Sequence, residues 1–270
     1  MITAVREPAV AGHFYPRSPE ALSQEVRQYT AHEGEKVSAL ACVVPHAGYM
    51  YSGHVAGAVY ARLQLPRRFV ILCPNHTGHG KPLSIMTEGA WQTPLGQAQI
   101  DPELGQALRL ACSGLEEDEL AHRGEHAIEV QLPFLQAALG QFSFVPIAVG
   151  TARYEPLQTL GQALAVVLRE ANDKVMLISS SDMNHYEPDD VTRVKDRKAI
   201  DKILALDARG LYDVVMEESI SMCGFGPTVA TLTAARLLGA TSAEVIKYAT
   251  SADVSGDRSA VVGYAGVVIR

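Results

Sequence analysis

The sequence predicts an α/β fold: one domain with a mainly parallel central sheet and helices on both faces. Two observations lead there. Apolar runs rich in β-branched residues alternate with segments of helical periodicity, and the runs are continuously apolar, as in strands covered on both faces. The 270 residues contain no internal repeat, no low-complexity segment and no linker rich in Pro, Gly or Ser, so residues 1–270 are expected to fold as a single unit.

Taken in order, the strand candidates are ALACVVP (39–45), RFVILCP (68–74), FSFVPIAVG (142–150), KVMLISSSD (174–182), AEVIKYAT (243–250) and SAVVGYAGVVI (259–269). Helix candidates fall at 53–64, 102–112, 154–171, 190–206 and 227–238. In the last of these, Val229, Leu232, Thr233, Arg236 and Leu237 recur at helical spacing, with Pro227 suited to the first turn and Gly239 to the stop. Such alternation builds a layered sandwich with right-handed crossovers.

A chain with 47% hydrophobic and 20% charged residues has the composition of a soluble globular protein. Its formal net charge of -7 argues against a broad basic surface for nucleic acid. MITAVREPAVAGHFYP lacks the charged-then-apolar layout of a signal peptide, and no apolar run reaches the roughly 18 residues of a membrane span, so a cytoplasmic protein without membrane contact is expected. The four cysteines are scattered with no C-x-x-C pair, which in a reducing compartment predicts free thiols. Cys42 and Cys73 lie inside apolar strands and read as core.

In open α/β sheets, ligands collect beyond the carboxyl ends of the strands. One strand candidate delivers His46 at that position, another delivers NHTGHG with His76 and His79, and a third delivers DMNHY with Asp182 and His185. A lone histidine is ordinarily structural. Three strands ending in imidazoles point instead to a metal or catalytic site, because parallel strands carry these groups to the same edge. A further donor is needed, and Cys223 in SMCGFGPTVATL is the candidate: just before a helix, exposed amides and the dipole favour a thiolate. Cys223 reads equally as a small apolar residue before a turn, although Gly224 and Gly226 would let backbone pass close to a site. Asp182 and His185 form a D-x-x-H pair in which one orients the other or both face a substrate, and Asp182 reads also as a cap. EHAIEVQLPFL places Ile128, Leu132 and Leu135 on one helical face, leaving His126 and Glu129 as a polar face. No G-x-S-x-G elbow supports a hydrolytic serine.

Read together, REPAVAGHFYP, PHAGYMYSG, PNHTG, TPLG, EHAIEVQLPFL, SSDMNHY, CGFGP and YAGVVI span nearly the whole chain, and their order resembles that of the Memo family. Members of this family are often encoded beside an AMMECR-like protein and a radical-SAM protein, and are similar in fold to the LigB-type class III extradiol dioxygenases. The resemblance implies that His46, His76 and Cys223 match metal-binding positions, and that Asp182 and His185, expected here as the catalytic residues, match nearby pocket residues. It further implies that Tyr51 is a pocket tyrosine and that Phe14 stands where some members carry tryptophan; Phe14, Tyr51 and His126 are expected to form the substrate pocket. PNHTG lacks a second adjacent histidine found in some relatives. The expected cofactor is iron or copper, with zinc as an alternative, and the expected activity is a metal-dependent oxidoreductase acting on a small molecule, with the AMMECR-like and radical-SAM proteins as partners. Two other readings use the same pocket: a zinc-dependent hydrolase, and a non-enzymatic protein that binds a peptide or small ligand. Where the dioxygenases hold iron with two histidines and a carboxylate, a thiolate would stand here, so ring cleavage does not transfer with the resemblance.

Overall fold

In the computed structural model, which describes residues 5–31 and 34–270, the apolar runs become the central strands of one mixed, mostly parallel sheet. Its strands are β1 (Val5–Arg6), β2 (Ala41–Val44), β3 (Arg68–Pro74), β4 (Leu83–Ile85), β5 (Ala90–Thr93), β6 (Gly96–Ile100), β7 (Glu116–Glu117), β8 (Ser143–Val149), β9 (Val175–Ser180), β10 (His185–Glu187), β11 (Ala243–Thr250) and β12 (Val261–Ile269). The helices are α1 (Pro19–Tyr29), α2 (Tyr49–Arg62), α3 (Pro102–Ala111), α4 (Leu120–Arg123), α5 (Leu132–Leu139), α6 (Tyr154–Glu170), α7 (Asp189–Leu204), α8 (Ala208–Glu217), α9 (Phe225–Leu237) and α10 (Ala252–Ser255).

Strands β8, β3, β9 and β2 lie side by side and parallel, so their carboxyl ends share one edge. Successive side chains on these strands point to opposite faces, and both faces are dry. Val43, Val70 and Leu72 join one core with Leu157, Leu164 and Val229, whereas Cys42, Phe69, Ile71 and Cys73 join the other with Val26, Val59 and Leu135. That double burial is the physical reason the runs are continuously apolar. The last two strands depart from a purely parallel sheet, since β12 runs antiparallel to both β2 and β11.

Elements outside the predicted set are short or polar. The hairpin β5–β6 turns on Thr93–Gly96, with Gly96 at a φ of 115° that suits glycine, and its inward residues Trp91, Ala98 and Ile100 alternate with outward glutamines. Helix α8 contains a glycine but starts on Asp207, whose carboxylate accepts from the Gly210 amide. The segment Glu129–Gln131 is a 3₁₀ turn that leads into α5, so the expected helix over EHAIEVQLPFL is confined to its end.

Candidate functional site

Three adjacent strands build the site. Strand β9 lies between β3 and β2, which release His76 and His46 just past their ends, while Asp182 follows β9 itself. Cys223 arrives from the segment before α9. Helix α9 packs across β9, β3 and β2, and Gly224 lets its start press onto the end of β9. A Cβ at Gly224 would stand 2.4 Å from Ser181 Cβ and 2.5 Å from the Ser180 carbonyl oxygen. Its amide donates to Ser181 Oγ at 3.0 Å. One ligand atom from each of His46, His76 and Cys223 lies within 4.8 Å of the other two, and Cys223 Sγ is 3.2 Å from His46 Nε2 although 177 positions separate them.

The hydrogen bonds fix which nitrogen of each ring carries the proton. Ser180 Oγ donates its single hydrogen to the Ala127 carbonyl at 2.6 Å, so it can only accept from His46 Nδ1 at 3.0 Å and from Gln131 Nε2 at 2.9 Å. His46 therefore carries its proton on Nδ1 and turns a bare Nε2 toward Cys223. The His76 ring donates Nδ1–H to Glu125 Oε1 at 2.9 Å, and the same carboxylate accepts from the His76 amide at 2.6 Å and the Ala127 amide at 2.9 Å. Each of the two imidazoles thus has Nδ1 anchored, by a hydroxyl at His46 and a carboxylate at His76, and Nε2 left for an ion, the kind of arrangement in which an outer acceptor orients a ligating imidazole. His76, Glu125 and His126 also lie within ligand distance of one another, but the Glu125 oxygens are already committed to N–H donors.

Burial sets the charges. It holds His46 well below its ordinary pKa, with the neighbouring imidazoles of His126, His76 and His185 adding to the effect. For His76 burial acts in the same direction, but the hydrogen bond and charge of Glu125 outweigh it and the pKa is raised. Glu125, fully buried, is correspondingly lowered by His76 against the cost of burial. Cys223 corrects an expectation: despite its place before a helix, burial and then the Asp182 carboxylate push its thiol well above the ordinary value. At Cys223 desolvation outweighs the hydrogen bonds of Asp182 and Ser181, which act to lower the thiol.

The other expected residues are distributed around a cavity of about 580 Å³. Phe14, His126, Asp182 and His185 line it together with His46, His76 and Cys223, and no lysine or arginine does. His126 stacks on His76 at 4.8 Å and packs against Phe14 at 4.7 Å. Tyr51 is not among the lining residues; it sits on α2 and packs against the cluster of Val55, Ala249 and Tyr264, as do the lining residues Ala47 and Val262. Asp182 does not pair with His185 among the described hydrogen bonds. Its carboxylate accepts from the His46 amide at 2.7 Å, and burial raises its pKa to about 7. The His185 ring donates Nδ1–H to the Ser221 carbonyl at 2.9 Å, and burial lowers its pKa.

Glu129, expected on a polar face, is fully buried. It accepts from Arg6 at 2.5 Å, from the Ala9 and Val10 amides and from Tyr15 Oη at 2.7 Å, which pins the segment that carries Phe14. Sequence reading passed over Glu125, Ser180, Gln131, Tyr186 and Ser221. Glu125 had one visible signal, its place beside His126 in a segment whose other acidic residue precedes an apolar run.

A sequence model described as Memo-like protein matches residues 6–268. A MEMO1 family protein of Methanothermobacter thermautotrophicus is 43% identical over 273 residues, covering 97% of this chain and 99% of that protein. Another MEMO1 family protein, from Methanopyrus kandleri, is 45% identical over 279 residues, covering 98% and 99%. Among solved structures, an uncharacterized protein of Escherichia coli K12 superposes with a TM-score of 0.57 at 13% identity, over 84% of this chain and 98% of that one, a likeness of fold alone.

Proposed function

We propose that this chain, which belongs to the Memo family, holds one iron or copper ion through His46 Nε2, His76 Nε2 and Cys223 Sγ, and acts as a metal-dependent oxidoreductase on a small molecule. The observation that supports it most is the convergence of the three donors within 4.8 Å, with both imidazoles anchored through Nδ1. Bond lengths of about 2.0–2.1 Å to nitrogen and 2.3 Å to sulfur are compatible with that spacing after small side-chain shifts. A soft sulfur beside two imidazoles favours copper or thiolate-bound iron over magnesium or calcium. When bound, such an ion supplies a redox-active Lewis acid with at least one open position, unlike a structural zinc site closed by four ligands.

The protein's own groups divide the remaining work. His185 presents the unprotonated Nε2 of a neutral ring in the cavity wall and accepts or returns a proton there. Phe14 and His126 exclude water from the side of the cavity next to His76. Asp182 holds the backbone of His46 through its carboxylate, which keeps that ring at the end of its strand. The AMMECR-like and radical-SAM proteins remain the proposed partners.

The test is metal analysis of protein purified without oxygen, followed by titration of Cu(I) and Fe(II) into the parent, Cys223→Ser and Cys42→Ser. Cys223→Ser is expected to weaken binding sharply. Cys42 is buried in the strand core, so Cys42→Ser is expected to bind the metal as the parent does. Equal binding by Cys223→Ser and the parent overturns the ligand set, and retention of zinc alone, with hydrolytic turnover, replaces the redox reading with the hydrolase.

A further inference from the structure

Asn184 lies between two residues of the D-x-x-H segment and is not among the residues that line the cavity of the candidate site, yet every polar group it owns is used. It is fully buried. Its amide N–H donates to Asp196 Oδ1 at 2.8 Å, and its carbonyl accepts from Gly263 at 2.9 Å. The side-chain Nδ2 donates to Glu187 Oε2 at 2.7 Å and to Thr192 Oγ1 at 3.3 Å. The side-chain Oδ1 accepts from both the backbone N–H and the hydroxyl of Ser221, each at 3.0 Å. The amide cannot be turned over, because Ser221 N–H only donates and the Glu187 carboxylate only accepts.

Ser221 in turn grips His185 twice. Its hydroxyl oxygen accepts from the His185 amide at 2.8 Å, and its carbonyl accepts from ring Nδ1 at 2.9 Å. We propose that Asn184 is the positioning residue for His185: it holds the Ser221 carbonyl against ring Nδ1, keeps the proton there, and so keeps Nε2 unprotonated for the reaction. The next residue supports a built-in constraint. Tyr186 adopts a φ of 60°, which a bulky residue takes only where neighbours enforce it, and the β10–β12 register shifts at that point. Asn184 bonds to both sides of that bulge, through Ser221 on one and Glu187 on the other. Sequence spacing hides this role, because D-x-x-H draws attention to its ends.

The inference rests on His185 being the acid–base group of the proposed function. The test is the tautomer of His185, read from ring nitrogen shifts in full-length, metal-free protein labelled with ¹⁵N-histidine, with the His185 resonances assigned by their absence from His185→Ala. The parent is expected as the Nδ1–H form. Asn184→Ala is expected to lose that preference for a majority Nε2–H form, the one free imidazole favours, while circular dichroism shows a retained fold. Asn184→Asp combined with Glu187→Gln keeps an oxygen facing Ser221 and a donor–acceptor pair at position 187, and is expected to restore Nδ1–H. If the alanine variant does not fold, Asn184→Ser, whose hydroxyl is too short to reach Ser221, takes its place with the same expectation. Retention of Nδ1–H in a folded Asn184→Ala or Asn184→Ser overturns the proposal. Because the sample holds no metal, an error in the metal assignment leaves this result unchanged.

Discussion

Replacing Glu125 by glutamine perturbs the site at its most constrained point. The fully buried carboxylate takes three N–H donors, from His76 Nδ1 and amide and from the Ala127 amide, at 2.6–2.9 Å. Glutamine offers one accepting oxygen and an NH2 that only donates. With the NH2 in place of Oε2, it confronts the His76 amide. With the NH2 in place of Oε1, it confronts the Ala127 amide and His76 Nδ1, and the ring escapes only by moving its proton to Nε2, the nitrogen assigned to the metal. Either orientation forfeits at least one hydrogen bond to a charged acceptor, about 1.5–3 kcal/mol. At about 1.4 kcal/mol per factor of ten, that matches the roughly 10–100-fold loss of metal affinity that follows removal of an outer partner of a ligating histidine. The assay is an anaerobic competition titration against a Cu(I) or Fe(II) chelator, with thermal melting to confirm the fold. An unchanged dissociation constant in a folded Glu125→Gln refutes the reasoning.

His185→Ala is expected to retain bound metal and lose activity, measured by metal content beside turnover; loss of all metal would make His185 a ligand. Gly224→Ala places a methyl 2.4 Å from Ser181 Cβ, and the overpacking is expected to cost about 1–3 kcal/mol and to move Cys223 off His46; melting and metal titration check both, and a neutral substitution is the contrary result. Burial raises Asp196 to about 7 from an ordinary 3.8, so the unfolded chain releases this proton first and the residue's contribution to stability falls as pH rises from about 4 to about 7. Asp196→Asn should therefore gain on the parent across that window, by up to a few kcal/mol at about 1.4 per pH unit, in urea unfolding run at several pH values; a difference independent of pH counts against it.

The central strands were legible because they are buried on both faces: RFVILCP has no polar position after Arg68 to spoil the run, and β3 spans those same residues. The β5–β6 hairpin was not, because Gln92, Gln97 and Gln99 face outward and leave only Trp91, Ala98 and Ile100 to signal a core. His46 and His76 could be read as converging from their place at strand ends, a consequence of parallel order. Glu125 and Asn184 could not. Both act through hydrogen bonds to partners on other elements, and a buried carboxylate or amide looks in sequence like any surface residue. Glu129 was misread for that reason, since its four donors come from a segment some 120 positions earlier.

Charge links these separate observations. The cavity is lined by imidazoles, three of which burial holds below their ordinary pKa, by one carboxyl raised to about 7 and by a thiol raised well above its usual range. Without an ion, such a cavity keeps few fixed charges, so it costs little to bury and the thiol is a poor nucleophile. In the proposed function a cation would reverse that balance, because its charge would stabilise the thiolate that burial opposes and displace a proton from Cys223. The two imidazoles would meet it already oriented, since Ser180 and Glu125 fix their rings from behind. Binding in the proposed site would therefore exchange the Cys223 proton for the ion, and affinity should rise with pH until that proton is no longer in competition. The burial that holds the Cys223 thiol up would then favour, in the proposed site, a cation able to displace its proton.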